Sequence, residues 1–560
     1  MEERRLLIAV ALSLLVLTAY QMMFPPAPAP RPTPARAVSA PPSAADARPS
    51  PPAEAARAAR PSPVPTVPPL PRVADERERR VEVRGPDVTA AFSNRGARLV
   101  SWQLERYRDG RGRPEDMVQA VPQGARVLEV ETGEPEIDAR LREALFLASS
   151  EAVQVAPSGE TELRFEYSDG TLAASKRLRF QPRGYLISLE ASVRQDGREL
   201  PLRLGWGPGV GNPSEAELEV RGAAQPNAVA LATHGGVERH TPDKLVSPLA
   251  LPEVHWAGVE SHYFAALLVP PRSQGAALLR AGAVLPRADG TAQTAAEALV
   301  ALEPGAGPAF IYVGPKDYHL LAPLGHDLRR VVNVGDWIGP LVVPLMSLLR
   351  WVHGFVGNYG WSIVVLTVLI NLAMGPLRHY SIANGFKMAK LQPEMKVIQE
   401  RYRKVPALDP RRQQMQEEIA ALYARHGMSM STQLAVGCVP ILLTMPFLFA
   451  FYRMLDVSID LRGAGFLWIH DLSQKDPLFI TPVLMGVSML VMQKLTPSTM
   501  DPAQQRMMLL MPVVFMGMFL WAPAGLNLYW LVANVCAIVQ QGITLRLLRH
   551  ERPAKEKRHR

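Results

Sequence analysis

The sequence predicts a polytopic α-helical membrane protein of six transmembrane helices with a β-sandwich periplasmic domain. Three observations predict it. Between Gly354 and Thr544 the apolar residues fall in uncharged runs of 24, 25, 17 and 38 residues separated by charged loops. A bilayer core takes about 20 apolar residues per helical crossing, and helices satisfy their own backbone in lipid where the chain forms no closed barrel. A further apolar stretch, Leu6 to Phe24, follows Met1-Glu2-Glu3-Arg4-Arg5. Between the two lies a long segment in which apolar and polar residues alternate with period two, the mark of half-buried strands.

Residues 1–24 read as a retained N-terminal transmembrane anchor. The stretch from Leu6 is 19 residues long, beyond the roughly 7 to 15 of a signal-peptide core, and no small-x-small site follows directly. A cleaved signal, with Ala35-Arg36-Ala37 as its site, is the alternative. Residues 25–72 are a Pro-rich periplasmic linker: 17 of the 47 residues from Pro25 to Pro71 are proline, a composition that gives a stiff, extended tether. Residues 73–330 form the β-sandwich. Leu163, Phe165 and Tyr167 lead into Ser168-Asp169-Gly170, and Tyr185, Ile187, Leu189, Ala191 and Val193 alternate after it.

In residues 331–357, Ile338, Leu341, Val342, Leu345, Leu348, Leu349, Val352, Phe355 and Val356 form a stripe at helical spacing beside Arg350 and Trp351. That is an amphipathic helix lying in the outer interface. Residues 358–546 hold five crossings: Gly354–Leu377, Met428–Tyr452, Pro477–Gln493, and two in Met507–Thr544, which Ala522-Pro523-Ala524-Gly525 divides. Between the first two, residues 378–427 carry Met388, Leu391, Met395, Ile398 and Tyr402, then Met415, Ile419 and Leu422. These spacings predict a cytoplasmic helical hairpin whose second helix starts at Asp409-Pro410 as N-cap and first-turn proline. Residues 547–560 are a basic cytoplasmic tail.

Charge sets the orientation. Arg378 to Arg425 holds ten Lys or Arg against five Asp or Glu, and the chain from Arg546 holds seven against two. Both belong on the cytoplasmic side, and so do both termini. These pieces account for the formal net charge of +9, so the basicity reflects membrane-surface polarity and not DNA binding. Basic elements there can meet anionic lipid or ribosomal RNA. Cys438 and Cys536 both fall in spans and read as small core residues, leaving no disulfide framework or thiolate metal site. No nucleotide, zinc-protease or nucleophile-elbow motif is present. The spans from residue 354 onward contain no internal Asp or Glu, which removes the usual proton relay. The reading is a protein without catalytic residues, cofactor or metal. Polar residues at membrane depth are Thr367, Asn371, Thr444, Ser488, Asn527 and Asn534. Singly, each reads as helix-packing glue; as a set on several helices they can line a hydrated groove.

This layout resembles the YidC membrane protein insertases of Gram-negative bacteria. Gly357-Asn358-Tyr359-Gly360, Leu391-Gln392-Pro393, Gly437-Cys438-Val439-Pro440, Trp468-Ile469-His470-Asp471-Leu472-Ser473 and Asp501-Pro502 carry the resemblance. It implies a membrane protein insertase and chaperone that passes nascent inner-membrane proteins through a hydrophilic groove, alone or beside the Sec translocon. Ribosome and membrane lipids are further implied partners. Members carry an arginine in the second span. Anchored on Gly375-Pro376-Leu377, the matching position is Asn371, while Thr367 matches a groove threonine. Arg453 stands in the third span where the family has an aromatic; snorkelling to the outer interface is its ordinary reading. A small-solute transporter and a non-inserting assembly scaffold are the rival readings.

Overall fold

The computed structural model describes residues 71–119, 121, 127–212, 226–286, 292–403, 405–406, 409–427, 445–496 and 502–550. The expected anchor, nearly all of the linker, Thr444, Cys438 and the last ten residues of the tail lie outside the described residues. The chain divides into two units, one holding residues 390–434 and the other residues 67–389 and 435–560.

Two sheets build the β domain. In the five-stranded sheet, Arg98–Arg108, Val88–Ser93 and Arg80–Arg84 lie side by side between the short edges Pro114–Asp116 and Ala152–Gln154. Among the described residues the second sheet has fourteen strands. Its middle runs Gly275–Pro286, Leu249–Glu260, Phe264–Val269, Ala309–Pro315, Leu186–Gln195, Leu172–Phe180 and Thr161–Ser168, all neighbours antiparallel. Alternation in sequence becomes alternation in burial: Leu172, Ala174, Lys176, Leu178 and Phe180 all turn inward. Asp169 closes the hairpin, its carboxylate accepting from the N–H groups of Thr171 and Leu172. The sheets meet through Phe92, which lies against Phe165 and Phe180, and through Trp102 stacked on Phe180. Trp102 Nε1 also donates to Val313 O at 3.1 Å, crossing from one sheet to the other. Helix α1 (Pro135–Glu143) packs Ile137 and Leu141 into the same core.

The helical part follows as α2 (Gly339–Val356), α3 (Tyr359–Ala373), α4 (Gly375–Arg401), α5 (Arg411–Arg425), α6 (445–457), α7 (Ile480–Leu495), α8 (Pro502–Phe519) and α9 (Ala524–His550). The first apolar run is therefore cut: Gly357 takes a left-handed φ of 72° to end α2, and the Asn358 side chain caps α3 by accepting from Trp361 N. The fourth run divides at residues 520–523 as expected. Val342 and Leu349 of α2, Ile363 and Leu366 of α3, Phe451 and Met454 of α6, Met485 of α7 and Leu526 of α9 share one core.

By length and composition, two helices among the described residues suffice to cross a membrane, Gly339–Val356 and Ala524–Leu548. A third is made if α3 and α4, bent by 58°, count as one. The expected six are not reached within these residues, because α7 spans only 16 residues and the apolar part of α8 is short. Helix α2 forms where the stripe was expected: Val342, Leu345, Leu349 and Val352 are buried, while Leu348, Trp351 and Phe355 beside them are exposed.

Arginines fasten the β domain to the bundle. Arg350 of α2 bridges Asp317 and Asp460 at 2.6 and 2.7 Å. Arg462 reaches Glu115 at 2.7 Å and lies over the Phe264 ring. In the hairpin unit, Leu391, Ile398, Met415, Ile419, Leu422 and Tyr423 form a separate small core. The assigned cap of α5 is Pro410, one residue later than expected; Asp409 still serves the turn by accepting from Arg411 N at 2.9 Å.

Candidate substrate groove

Helix α3 carries two of the candidate residues one turn apart. Thr367 is fully buried and donates from Oγ1 to Ile363 O at 2.6 Å, while Asn371 donates from Nδ2 to Thr367 O at 2.8 Å. Asn371 then turns its oxygen outward. Arg378 Nη1 donates to Asn371 Oδ1 at 3.0 Å and to Gln540 Oε1 at 3.3 Å. Gln540 Nε2 completes the ring by donating to Asn371 O at 2.9 Å. The bend between α3 and α4 makes this possible, since a straight continuation would carry residue 378 about 10 Å further along the axis. One residue on, His379 Nδ1 lies 3.0 Å from Thr544 Oγ1, a second link to α9.

A polar line runs down α9. Asn527, Asn534 and Gln541 recur every seven residues and so share a face. Asn534 Nδ2 donates to Ser488 Oγ of α7 at 3.0 Å, and Ser488 in turn donates to Met485 O. Gln541 Nε2 donates to Leu495 O at the end of α7, and Asn527 Nδ2 to Phe519 O at the end of α8. Among the described residues, Asn527 Oδ1, Gln493 Oε1 and Asn384 Nδ2 are buried without a hydrogen-bond partner. A seam of amides and hydroxyls has the chemistry to accept a polar chain segment, each backbone or side-chain group finding a donor or acceptor in turn.

Of the expected residues, Thr367 sits with Asn371, and Ser488 with Asn534. Asn527 lies at the α8 end of the same line. Arg453 is not brought to them. It donates to Asn333 O at 2.7 Å and pairs with Asp456, at the end of α6 that faces the β domain. Thr444 is outside the described residues. In the hairpin unit, Leu391 is buried, Gln392 half-buried and Pro393 exposed inside α4. Arg378, Gln540 and Gln541 are additions that the structure makes to the expected set. Among the described residues no group of three His, Cys, Asp or Glu could hold a metal ion.

Comparison with known proteins shows the family. The family model described as 60Kd inner membrane protein matches residues 351–551, and that of the YidC periplasmic domain matches residues 80–348. The membrane protein insertase YidC of Geobacter metallireducens is 33% identical over 96% of this chain and 97% of its own length. That of Syntrophus aciditrophicus is 31% identical over 96% and 98%. Among solved structures, that of YidC from Thermotoga maritima covers 85% of this chain and 100% of its own at 14% identity, with a TM-score of 0.28. The chain belongs to the YidC family of membrane protein insertases.

Proposed function

We propose that this membrane protein insertase passes the polar flank of nascent inner-membrane proteins along the seam shared by α3, α7 and α9 and releases their apolar helices sideways into lipid. The observation that carries this is the run of amides and hydroxyls, Thr367 to Asn371 to Gln540 and Ser488 to Asn534, between helices that share an apolar core. No energy source is required. Apolar residues at mid-helix favour the bilayer by about 0.3 to 0.6 kcal/mol each, so a substrate helix of some 20 residues supplies several kcal/mol. The barrier is the polar flank, where one centred charge costs about 2.5 to 3.5 kcal/mol. Uncharged hydrogen-bonding groups and water shorten the dry path, and short helices such as α7 thin the bilayer around them.

In this reading the chain crosses the inner membrane six times with both termini in the cytoplasm, α2 lies at the outer interface, and the helical hairpin receives substrate. The Sec translocon, the ribosome and lipid are its partners in the same reading. Asn371→Leu tests it. The change removes the amide that bonds both Thr367 O and Arg378, so insertion of a single-span substrate with an acidic flank should slow several-fold. A neutral-flanked substrate should insert as before, because only the charged flank needs the wet path. Protease protection at matched expression measures both. If Leu behaves as Asn does on both substrates, Asn371 is packing glue and the seam is not the path.

A further inference from the structure

Among the described residues Arg378 has no acidic partner. Its bonds go to two neutral amide oxygens through a single nitrogen, Nη1, and it pairs with no carboxylate among the described residues. A guanidinium stays charged at every relevant pH, and a half-buried cation with only amide partners is electrostatically incomplete. Its remaining donors keep the planar fork that matches a phosphate in two-point fashion. The same end of α3 and α4 also presents apolar surface: Leu372 is 63% exposed, Tyr380 is 57% exposed, and Pro376 is exposed as well.

We propose that Arg378 is a binding site for the phosphate of an anionic phospholipid, whose acyl chains lie along Leu372 and Pro376. Asn371 and Gln540 hold the guanidinium at the lipid-facing rim where α3 turns into α4. A lone phosphate would satisfy the charge but leave the exposed apolar neighbours uncovered; a lipid does both. This rests on the membrane placement of α3 and α9 and not on the passage of substrate, so it stands or falls separately from the insertion test above.

The experiment is native mass spectrometry of the full chain in neutral detergent, titrated with phosphatidylglycerol or phosphatidylcholine. Wild type should retain one phosphatidylglycerol about tenfold more tightly than phosphatidylcholine, the size of one charge-assisted bond. Arg378→Gln should abolish that preference, Arg378→Lys should keep most of it as a point charge, and Lys387→Gln, an exposed base on the same helix, should change nothing. Equal affinity of wild type for the two lipids overturns the site even where the Gln variant fails to fold. So does an unchanged preference in Arg378→Gln. Displacement of phosphatidylglycerol by millimolar inorganic phosphate would make the site one for free anion and not lipid. Loss of acidic-flank insertion in Arg378→Gln with the lipid preference intact would assign the guanidinium to substrate and overturn the proposal equally.

Discussion

Lys176 occupies an inward position of the strand Leu172–Phe180, where its neighbours in register are Ala174 and Leu178. It is 2% exposed, and its ammonium donates to Gly96 O, Ala97 O and Leu128 O at 2.9, 2.9 and 2.8 Å. Three donors meet three backbone carbonyls in the interior, so one side chain ties two loops to the large sheet. Lys176→Met keeps the length and the apolar stem but strands the carbonyls. At about 1 to 3 kcal/mol for each orphaned acceptor, less what relaxation recovers, the β domain should lose about 2 to 4 kcal/mol. Unfolding followed by the fluorescence of the buried Trp102, Trp206 and Trp256 reads the change. A loss under about 1 kcal/mol would mean that water replaces the ammonium. At this scale the candidate groove was partly legible. Asparagine and threonine inside an apolar run stand out in sequence, whereas Arg378 reads as the first base of a cytoplasmic loop. Only the bend behind it and the reach of a long side chain return it to the bundle. Gln541 left a trace, the sevenfold spacing from Asn527 and Asn534, but it sits at the end of its run where polar residues are expected.

Among elements, the junction between the β domain and α6 carries a titratable contact. His262 Nε2 lies 3.0 Å from Asp456 O, with the Asp456 carboxylate, Lys316 and Arg453 also facing it. Burial is the largest influence and lowers its pKa; Lys316 and Arg453 act the same way, and Asp456 opposes them. The folded imidazole therefore resists protonation more than the unfolded one does. Between the folded pKa and the unfolded value near 6.5 the unfolded chain binds more protons, so stability is full above about pH 6.5 and falls as the pH drops through that window. His262→Gln removes the titration while keeping a donor, and its stability should depend less on pH from 6.5 to 5 than that of the unaltered chain. Parallel pH profiles of the denaturation midpoint would remove His262 from the account. Element identities were legible because periodicity is a local property: strand hairpins at Asp169-Gly170, the helix break at Gly357-Asn358 and the turn at Ala522-Pro523 each carry their own signal. Which part of the α2 stripe is covered was not, because periodicity alone does not say that Val342 and Leu349 are buried while Leu348 and Phe355 of the same stripe stay exposed.

The whole molecule is joined by pairings that no local pattern encodes. Arg462 and Glu115 are 347 residues apart, and their side chains are 8% and 1% exposed. Arg462 also donates to Arg108 O at 3.0 Å and stacks on Phe264 at 5.0 Å, while Glu115 Oε1 accepts from Asn212 N. The pair therefore links the loop between α6 and α7 to the edge of the five-stranded sheet. Together with Arg350 between Asp317 and Asp460, it fastens the β domain to the bundle. Desolvating two charges consumes most of their attraction, so the pair adds little net stability compared with an apolar pair of equal volume. Losing one partner is another matter, because it leaves a buried charge unmatched at about 3 to 5 kcal/mol. Glu115→Leu alone and Arg462→Met alone should each destabilise the full chain by that order. The double variant should lose clearly less than the two together, with a coupling of about 2 kcal/mol or more. Protease cleavage between residues 331 and 338, the connection from the β domain to α2, should accelerate in each single variant and slow again in the double. Strictly additive losses, with cleavage fastest in the double variant, would mean that Arg462 and Glu115 act separately through Phe264 and Asn212, and the latch between the two halves would have to be sought at Arg350.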